Sequence, residues 1–303
     1  MEEHRLTSNF TESLNKLKAY CEKEGFKGWD PYDGLNSKVF RATPLKKWDL
    51  ARLAWIQGFK RSPINFRKIL LVPKQHNSKG IALFLSGYCH LYSYCKKTND
   101  TSFGQLKEIE SKIDELGNLL LSMKNRNYHG ACWGYNFDWQ ARRLFLFPDN
   151  TPTVVATSFC VSSLLKAFDI TQNKEFYNTA ISASEFVIKD LHRSDLKSGF
   201  LFSYSPLNGN NTVFNASLLG AKILSEIYGR TRDKKLLELA KSTIQACCEM
   251  QKDNGSWIYG LLPVQSWIDS FHTGYNLMAI QSYQDHSGDL QFSKNIDKGF
   301  EFY

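Results

Sequence analysis

The side chains with the clearest chemical potential in this sequence are Asp269 and His272. They are three residues apart at the start of a charge-poor segment, and this spacing places both on one face of a helix. A histidine beside a carboxylate can give or take a proton near neutral pH, so the pair predicts a general acid or base. Tyr275 extends the same face. The alternative interpretation is that Asp269 only caps the helix.

A second group of candidates combines carboxylates with aromatic rings. Asp30 and Asp33 are interleaved with Trp29 and Tyr32. Aromatic faces suit sugar rings, so the segment predicts a sugar-binding rim whose carboxylates are available for acid or base chemistry. The same residues also fit a simple turn, because the proline between them presets the backbone and aspartate caps it.

Two arginines are candidates for binding an acidic sugar. Arg142 follows Asp138, a further candidate catalytic carboxylate, which in turn follows Trp133 and Tyr135, two candidate substrate-binding rings. A guanidinium beside aromatic rings could hold a uronate carboxylate by two hydrogen bonds, or form a salt bridge within its own loop. Arg67, in an early loop after a proline, could reach the same site or merely pin that loop.

Two kinds of helical segment alternate along the chain. The first kind is amphipathic, with apolar residues recurring every three or four positions, and suits the outside of a ring. These segments are Thr11 to Glu24, Phe103 to Met123, Lys174 to Leu191, Asp233 to Met250 and Gln291 to Tyr303. The second kind is poor in charge and must be buried on most sides. These segments are Asp49 to Phe59, Lys79 to Cys95, Val154 to Phe168, Thr212 to Tyr228 and Trp267 to Tyr283.

The joints between these segments repeat. Each of three joints begins with a glycine, at Gly130, Gly199 and Gly255. Two or three positions after the glycine come an aromatic residue, one further residue and a tyrosine. Their repeat positions make Tyr204 and Tyr259 rim aromatics. The charge-poor segments that follow align at Ala156, Asn215 and His272, which are 59 and then 57 residues apart. These three positions are expected to line one layer of the molecule.

A repeat of this length, built of two helices and a long joint, predicts an all-α fold, an α/α toroid of about five to six hairpins. Residues 1–303 are expected to form a single domain, with strands limited to short ribbons at the joints. The last amphipathic segment has no charge-poor partner after it. We therefore expect a missing final inner helix, and so an incomplete ring or a truncated chain.

Composition narrows the partners. The net charge is +8, but no block of like charges and no nucleic-acid signature occurs, so nucleic acid is not an expected partner. The seven cysteines include no metal-binding pair spacing, and neither a metal nor a cofactor is expected. The longest apolar run, Ile81 to Leu85, is too short to insert into a membrane. The polar N-terminus and the irregular cysteine spacing predict a cytoplasmic protein.

The segment Gln251 to Trp257 matches the pattern Q-x-x-x-G-x-W. It resembles the QW repeat of terpenoid cyclases, which are α/α toroids. The resemblance implies that Gln251 ties down a helix end and that Trp257 stacks on it. The acidic motifs with which cyclases protonate or ionise their substrates are not in the sequence. Trp257 is therefore taken as a binding residue, and cyclase chemistry is the least favoured function.

A wider resemblance covers most of the chain. It is similar to bacterial toroid proteins associated with polysaccharide biosynthesis, within the toroids that include six-hairpin glycosidases. The segments that carry it are Gly28–Gly34, Pro63–Arg67, Cys132–Asp138 and Ile268–Tyr275. The resemblance implies a protein that modifies or cleaves an acidic polysaccharide as a hydrolase, lyase or epimerase. The alternative is a non-catalytic toroid that binds an oligosaccharide or a protein partner in a biosynthetic assembly.

Overall fold

The computed structural model describes residues 2–141 and 146–303, with side chains from residue 10 onward. The chain forms two compact units. Unit 1 consists of Met1–Met123, Gly134–Thr151 and Lys166–Gln172, and unit 2 of Lys124–Trp133, Pro152–Leu165 and Asn173–Tyr303. The single domain and the missing final inner helix expected from the sequence stay predictions.

Eleven α-helices and four short strands form in the described residues. The helices are α1 (Glu2–Lys23), α2 (Lys38–Ala42), α3 (Asp49–Arg61), α4 (Ser78–Thr98), α5 (Leu106–Ser122), α6 (Val154–Thr171), α7 (Lys174–Glu185), α8 (Phe214–Thr231), α9 (Lys234–Glu249), α10 (Ser270–Ser287) and α11 (Ser293–Phe302). The strands are β1 (Trp139–Gln140), β2 (Leu146–Phe147), β3 (Arg193–Leu196) and β4 (Gly199–Phe202). They form two antiparallel ribbons, β1 with β2 and β3 with β4. All ten segments predicted as helical contain a helix, and the strands are short ribbons as expected.

Unit 2 is built from alternating buried and half-exposed helices. Helix α8 packs against α7, α9 and α10, and it is buried almost all round. Its alanines, serines and glycine leave room for these neighbours on every side. Helix α9 buries only one face, through Leu236, Ala240, Ile244 and Cys247. The contrast between a charge-poor and an amphipathic segment therefore separates the two helix classes correctly.

A nearly buried ion pair lies between two of the charge-poor helices of unit 2. Lys222 and Glu226 of α8 form an ion pair at 2.7 Å, and both side chains are nearly buried. The hydroxyl of Ser162, on α6, donates to Glu226 at 2.7 Å and also contacts Lys222. This group satisfies its own charges, which is the condition for keeping a charge inside a protein.

Unit 1 contains the antiparallel pair α4 and α5 together with the early helices. Around α3, a small core forms from Leu35, Phe40 and Ile56, with the Trp55 ring stacked on Phe40 at 4.7 Å. The indole of Trp55 donates to the carbonyl of Gly34 at 2.9 Å. These contacts hold the early loops of unit 1 in place.

One helix of the described residues, α6, is long and apolar enough to cross a membrane by length and composition alone. Within the protein, 61% of that helix is buried. The core helices of water-soluble proteins pass the same test, so this feature is weak evidence for a membrane span.

Each of the three joints contains a glycine pressed against the backbone of the following amphipathic helix. A Cβ atom on Gly130, Gly199 or Gly255 would lie only 1.9, 2.1 or 2.0 Å from a carbonyl oxygen. These oxygens belong to Ser182, Ser242 and Lys298, on α7, α9 and α11. No other residue type fits these positions without moving the helix, which explains why the joint glycine repeats.

The joint tyrosines contribute their backbone to the next buried helix. The amide of Val154, at the start of α6, donates to the carbonyl of Tyr204 at 2.9 Å. The amide of Phe214, at the start of α8, donates to the carbonyl of Tyr259 at 3.1 Å. Helix N-termini have amides without internal partners, so each joint satisfies one amide of the preceding hairpin.

The Gln251 motif ties two helices of unit 2 together, as the resemblance implies. The Gln251 amide donates to the carbonyls of Gly255 and Asn295, each at 2.9 Å, and accepts from the Asn295 side chain at 2.7 Å. The Trp257 indole donates to the carbonyl of Cys247, at the end of α9, at 2.9 Å. The motif therefore fixes the end of α9 against the start of α11.

We predict that Gly199→Ala destabilises the protein by about 2–3 kcal/mol, because the new methyl group overlaps the Ser242 carbonyl. Gly58→Ala is the matched control, since Gly58 is an exposed helical glycine of α3 with open space around its Cβ position. It should raise stability by roughly 0.5–1 kcal/mol through helix propensity. Urea unfolding of both variants measures the difference, and equal stabilities would contradict this account of the joint.

Candidate functional site

Asp269 and His272 form a bonded pair at the N-terminus of α10. One Asp269 carboxylate oxygen accepts the backbone amide of His272 at 2.7 Å, so Asp269 caps the helix. The same carboxylate contacts Nδ1 of the His272 ring at 2.8 and 2.9 Å. Both interpretations of this pair therefore hold geometrically. A carboxylate at Nδ1 places the proton there and leaves Nε2 with a free lone pair, which is the arrangement of a general base.

Aromatic rings surround the imidazole of His272. Tyr259 and Trp267 are stacked on each other with ring centroids 4.3 Å apart, and they contact the His272 ring edge-on at 4.8 and 5.3 Å. Phe271 and Tyr275 lie 5.3 and 6.4 Å from it. Burial raises the pKa of Tyr275 to about 12, so its hydroxyl stays protonated at neutral pH.

This pair lies in a shallow surface depression of unit 2 that encloses almost no cavity volume of its own. It is lined by Asn215, Trp257, Ile258, Tyr259, Trp267, Asp269, His272 and Asn276. The amides of Asn215 and Asn276 are 3% and 2% exposed, and the Oδ1 atom of each has no hydrogen-bond partner among the described residues. Such a group costs about 1–3 kcal/mol when buried alone. Both amide oxygens are therefore buried and unpaired in the wall of the depression.

In unit 1, the carboxylates of the predicted rim are used within their own turn. Arg67 donates to the Asp33 carboxylate and to the backbone carbonyl of Asp30, both at 2.8 Å. The Asp30 carboxylate accepts the amide of Tyr32 at 2.9 Å. Burial raises the pKa of both carboxyl groups. Arg67 therefore pins the loop, the second of the two roles considered from the sequence.

The aromatic residues of this rim are also engaged. The indole of Trp29 donates to the carbonyl of Val72 at 3.0 Å. The Tyr32 hydroxyl accepts from Lys60 at 2.6 Å, and its ring meets Trp139 edge-on at 6.4 Å. In unit 1 these rings join the early loops to one another.

Two further candidates of unit 1 lie beside the β1–β2 ribbon. The Asp138 carboxylate accepts the backbone amide of Asp149 at 2.9 Å and lies 3.4 Å from Arg41. The Tyr135 ring stacks on Phe137 at 5.6 Å. Arg142 lies outside the described residues.

One sequence prediction in unit 2 needs correction. Trp133 was expected to bind substrate, but it is 0% exposed and its ring packs in the core, so it offers no face to a ligand. Tyr204 is half-buried, and its backbone amide donates to the carbonyl of Asn210 at 2.8 Å. Trp257 is 2% exposed and forms part of the wall of the depression.

The structure adds residues that sequence reasoning missed. Trp267 was taken only as the start of a helix, yet it is 42% exposed and stacks on Tyr259 beside His272. Asn276 follows His272 by four positions, so helical spacing alone could have placed it on the same face.

No protein-family model and no curated protein sequence matches the chain. Among solved structures, it is similar to a D-mannose isomerase, with a TM-score of 0.52 and 14% identity over 90% of this chain and 74% of that one. It is also similar to cellobiose 2-epimerase from Bacillus thermoamylovorans, with a TM-score of 0.54 and 10% identity over 89% and 73%. A family 76 glycoside hydrolase from a bovine Bacteroides thetaiotaomicron strain gives a TM-score of 0.56 and 13% identity.

This last likeness covers 74% of the present chain and 47% of the hydrolase, so the chain spans about half of that protein. At these identities the likeness concerns the fold. The fold class predicted from the repeat is confirmed: the protein is all-α and has the α/α toroid fold of six-hairpin glycosidase-like proteins.

We predict that Arg67→Ala destabilises the protein by about 3 kcal/mol at neutral pH, because it leaves the buried Asp33 carboxylate without its cation. The folded-state pKa of Asp33, already raised by burial, rises further in the variant. A folded pKa above the unfolded one favours folding at low pH, and that stability is lost as pH rises through it. The deficit should therefore shrink as the pH is lowered and the Asp33 carboxyl group becomes protonated.

Urea unfolding of Arg67→Ala, Asp33→Asn and the double variant measures this pair. The double variant should be less destabilised than the sum of the single changes, because the unpaired charge is gone. Full additivity would show that the two side chains do not act as a pair.

Proposed function

We propose that the protein binds a saccharide in the unit 2 depression and that His272 transfers a proton on it. The observation that carries the proposal is the His272 ring itself, oriented through Nδ1 by Asp269 and set among aromatic faces. An aspartate that fixes the tautomer in this way leaves Nε2 directed to act as a base.

The aromatic pair provides a surface for a sugar ring. Trp267 and Tyr259 are stacked face to face, with 13° between their planes, so the Trp267 ring keeps its outer face for a sugar ring. Trp267 is 42% exposed, although exposure of so large an apolar ring to water is costly. The C–H face of a pyranose covers such a ring, while its hydroxyls remain free for polar contacts.

The amides of Asn215 and Asn276 provide the polar contacts. Each can accept from a hydroxyl through Oδ1 and donate through Nδ2. Each lacks a partner at Oδ1 in the described structure, so a sugar hydroxyl that reached it would remove an existing penalty. Adjacent hydroxyls are the feature that distinguishes a saccharide from other ligands that stack on aromatic rings.

The set of ionisable groups favours proton transfer over hydrolysis. Glycoside hydrolysis uses two carboxyl groups about 5–10 Å apart across a cleft. Among the described residues that line the depression, Asp269 is the single carboxylate, and it is bonded to His272. The names of two similar structures, a mannose isomerase and a cellobiose 2-epimerase, support the same reaction class.

The proposed step is enolisation of an open-chain aldose. Nε2 of His272 takes the proton from the carbon next to the carbonyl, and the electron pair of that C–H bond forms an enediolate. Return of a proton to the opposite face of the same carbon gives the epimer. Return of a proton to the former carbonyl carbon, with transfer of the C2 hydroxyl proton to the C1 oxygen, gives the ketose. The protonated Tyr275 hydroxyl is a suitable proton donor on the same helix face.

A neutral saccharide fits the depression best. Its described lining carries no lysine or arginine, and a uronate carboxylate there would meet the charge of Asp269. An acidic polysaccharide is the second candidate substrate, and it requires a cation that the described lining does not contain. A role in polysaccharide biosynthesis, a cytoplasmic location and a protein partner are further parts of this proposal.

We expect the protein in D₂O to exchange the C2 proton of mannose, glucose or cellobiose, measured by loss of that proton signal in NMR spectra. His272→Ala should slow the exchange by at least about 100-fold, the usual contribution of a general base. His129→Ala is the matched control, because His129 is also held at Nδ1 by an aspartate, Asp190, at 2.8 Å, but does not line the depression.

Equal exchange by wild type and His272→Ala would contradict the catalytic role. If no sugar exchanges but calorimetry shows sugar binding that Trp267→Ala weakens about tenfold, the protein is a saccharide-binding toroid instead. If Trp267→Ala leaves binding unchanged, the depression is not the binding site.

A further inference from the structure

Unit 1 contains a second cavity that the proposed function does not use. It is a groove of about 510 Å³ between α1 and α4. Its wall is apolar, with Leu14 and Leu17 on α1 and Leu83, Phe84 and Leu91 on α4. The volume lies within the roughly 300–1,000 Å³ typical of small-molecule sites.

The walls of the groove remain exposed. The side chains of Leu17, Leu83 and Tyr94 are 56%, 50% and 48% exposed. Gly87 lies in the wall between them, and a Cβ atom there would meet nothing within 4 Å. Contact of these apolar side chains with an alkyl chain has a lower free energy than their contact with water.

A cation contacts one residue of the groove lining. His90 belongs to the lining, and the ammonium of Lys166 donates to Nε2 of the His90 ring at 3.0 Å. Among the described residues, Lys166 has no carboxylate within ion-pair distance. The lining itself contains Lys18, but that cation pairs with Glu22 at 3.5 Å, and Glu22 also accepts from Tyr88 at 2.7 Å.

The protonation of His90 follows from its neighbour. The positive charge of Lys166 lowers the pKa of His90, so the ring is neutral at neutral pH. Because Nε2 accepts from Lys166, the ring proton lies on Nδ1 and is available as a donor. An ammonium and one neutral N–H together match a single negative charge better than a double one.

We propose that this groove binds a long-chain fatty acid, with its alkyl chain between α1 and α4 and its carboxylate beside Lys166 and His90. A second copy of this chain would bury the exposed leucines but would leave the cation without a partner. A fatty acid satisfies both features of the groove. The site lies wholly within unit 1, so it stands apart from the saccharide proposal.

The test is calorimetric titration of the full chain with dodecanoate below its micelle concentration, with dodecanol as the neutral comparison. Wild type should bind one dodecanoate per chain. Lys166→Met should weaken dodecanoate binding about tenfold and leave dodecanol unaffected, because only the carboxylate loses a partner. Lys107→Met, an exposed lysine of α5, is the matched control and should bind as wild type does.

Gly87→Phe should abolish binding of both ligands, because the new ring fills the open space in the wall. Near-ultraviolet circular dichroism checks that each variant is folded. If Gly87→Phe does not fold, Lys166→Met still tests the head-group contact. Unchanged dodecanoate affinity in Lys166→Met would overturn the proposal. Binding to phospholipid vesicles without binding of free dodecanoate would also overturn it. A concentration-dependent dimer that prevents dodecanoate from binding would do the same.

Discussion

The close approach between joint and helix is the constraint on which the rest of unit 2 depends. At three successive joints, the backbone passes so near an amphipathic helix that only glycine fits. The carbonyl oxygens concerned belong to Ser182, Ser242 and Lys298. A rigid contact of this kind sets the height and direction of each joint relative to the helix that follows it. The repeat visible in the sequence is therefore a repeat of one steric requirement.

The position of the candidate site follows from this constraint. The third joint, fixed at Gly255, carries Trp257 into the wall and Tyr259 to the edge of the depression. The Tyr259 carbonyl accepts the amide at the start of α8, one position before Asn215. The Asp269 cap then sets the first turn of α10 and with it the ring of His272. Backbone contacts therefore position the candidate site, while side chains that differ between the joints form its lining.

Much of the fold could be predicted from the sequence because it depends on periodicity. The contrast between amphipathic and charge-poor segments identified the helices, and the aspartate at the start of the last charge-poor segment predicted the Asp269 cap. Pairings between distant residues could not be predicted this way. Arg67 and Asp33 are 34 positions apart. A local sequence pattern cannot show whether they pair with each other or are available to bind a substrate. The burial of Trp133 depends in the same way on neighbours brought together only by packing.

We propose that the unit 2 depression binds a saccharide over Trp267 with a carbon-bound proton within reach of His272. A crystal structure of the protein with cellobiose tests it most directly. We predict a sugar ring stacked on the outer face of Trp267, hydroxyls on the amides of Asn215 and Asn276, and Nε2 of His272 against the sugar. Cellobiose bound only elsewhere, with this depression empty at saturating concentration, would contradict the claim.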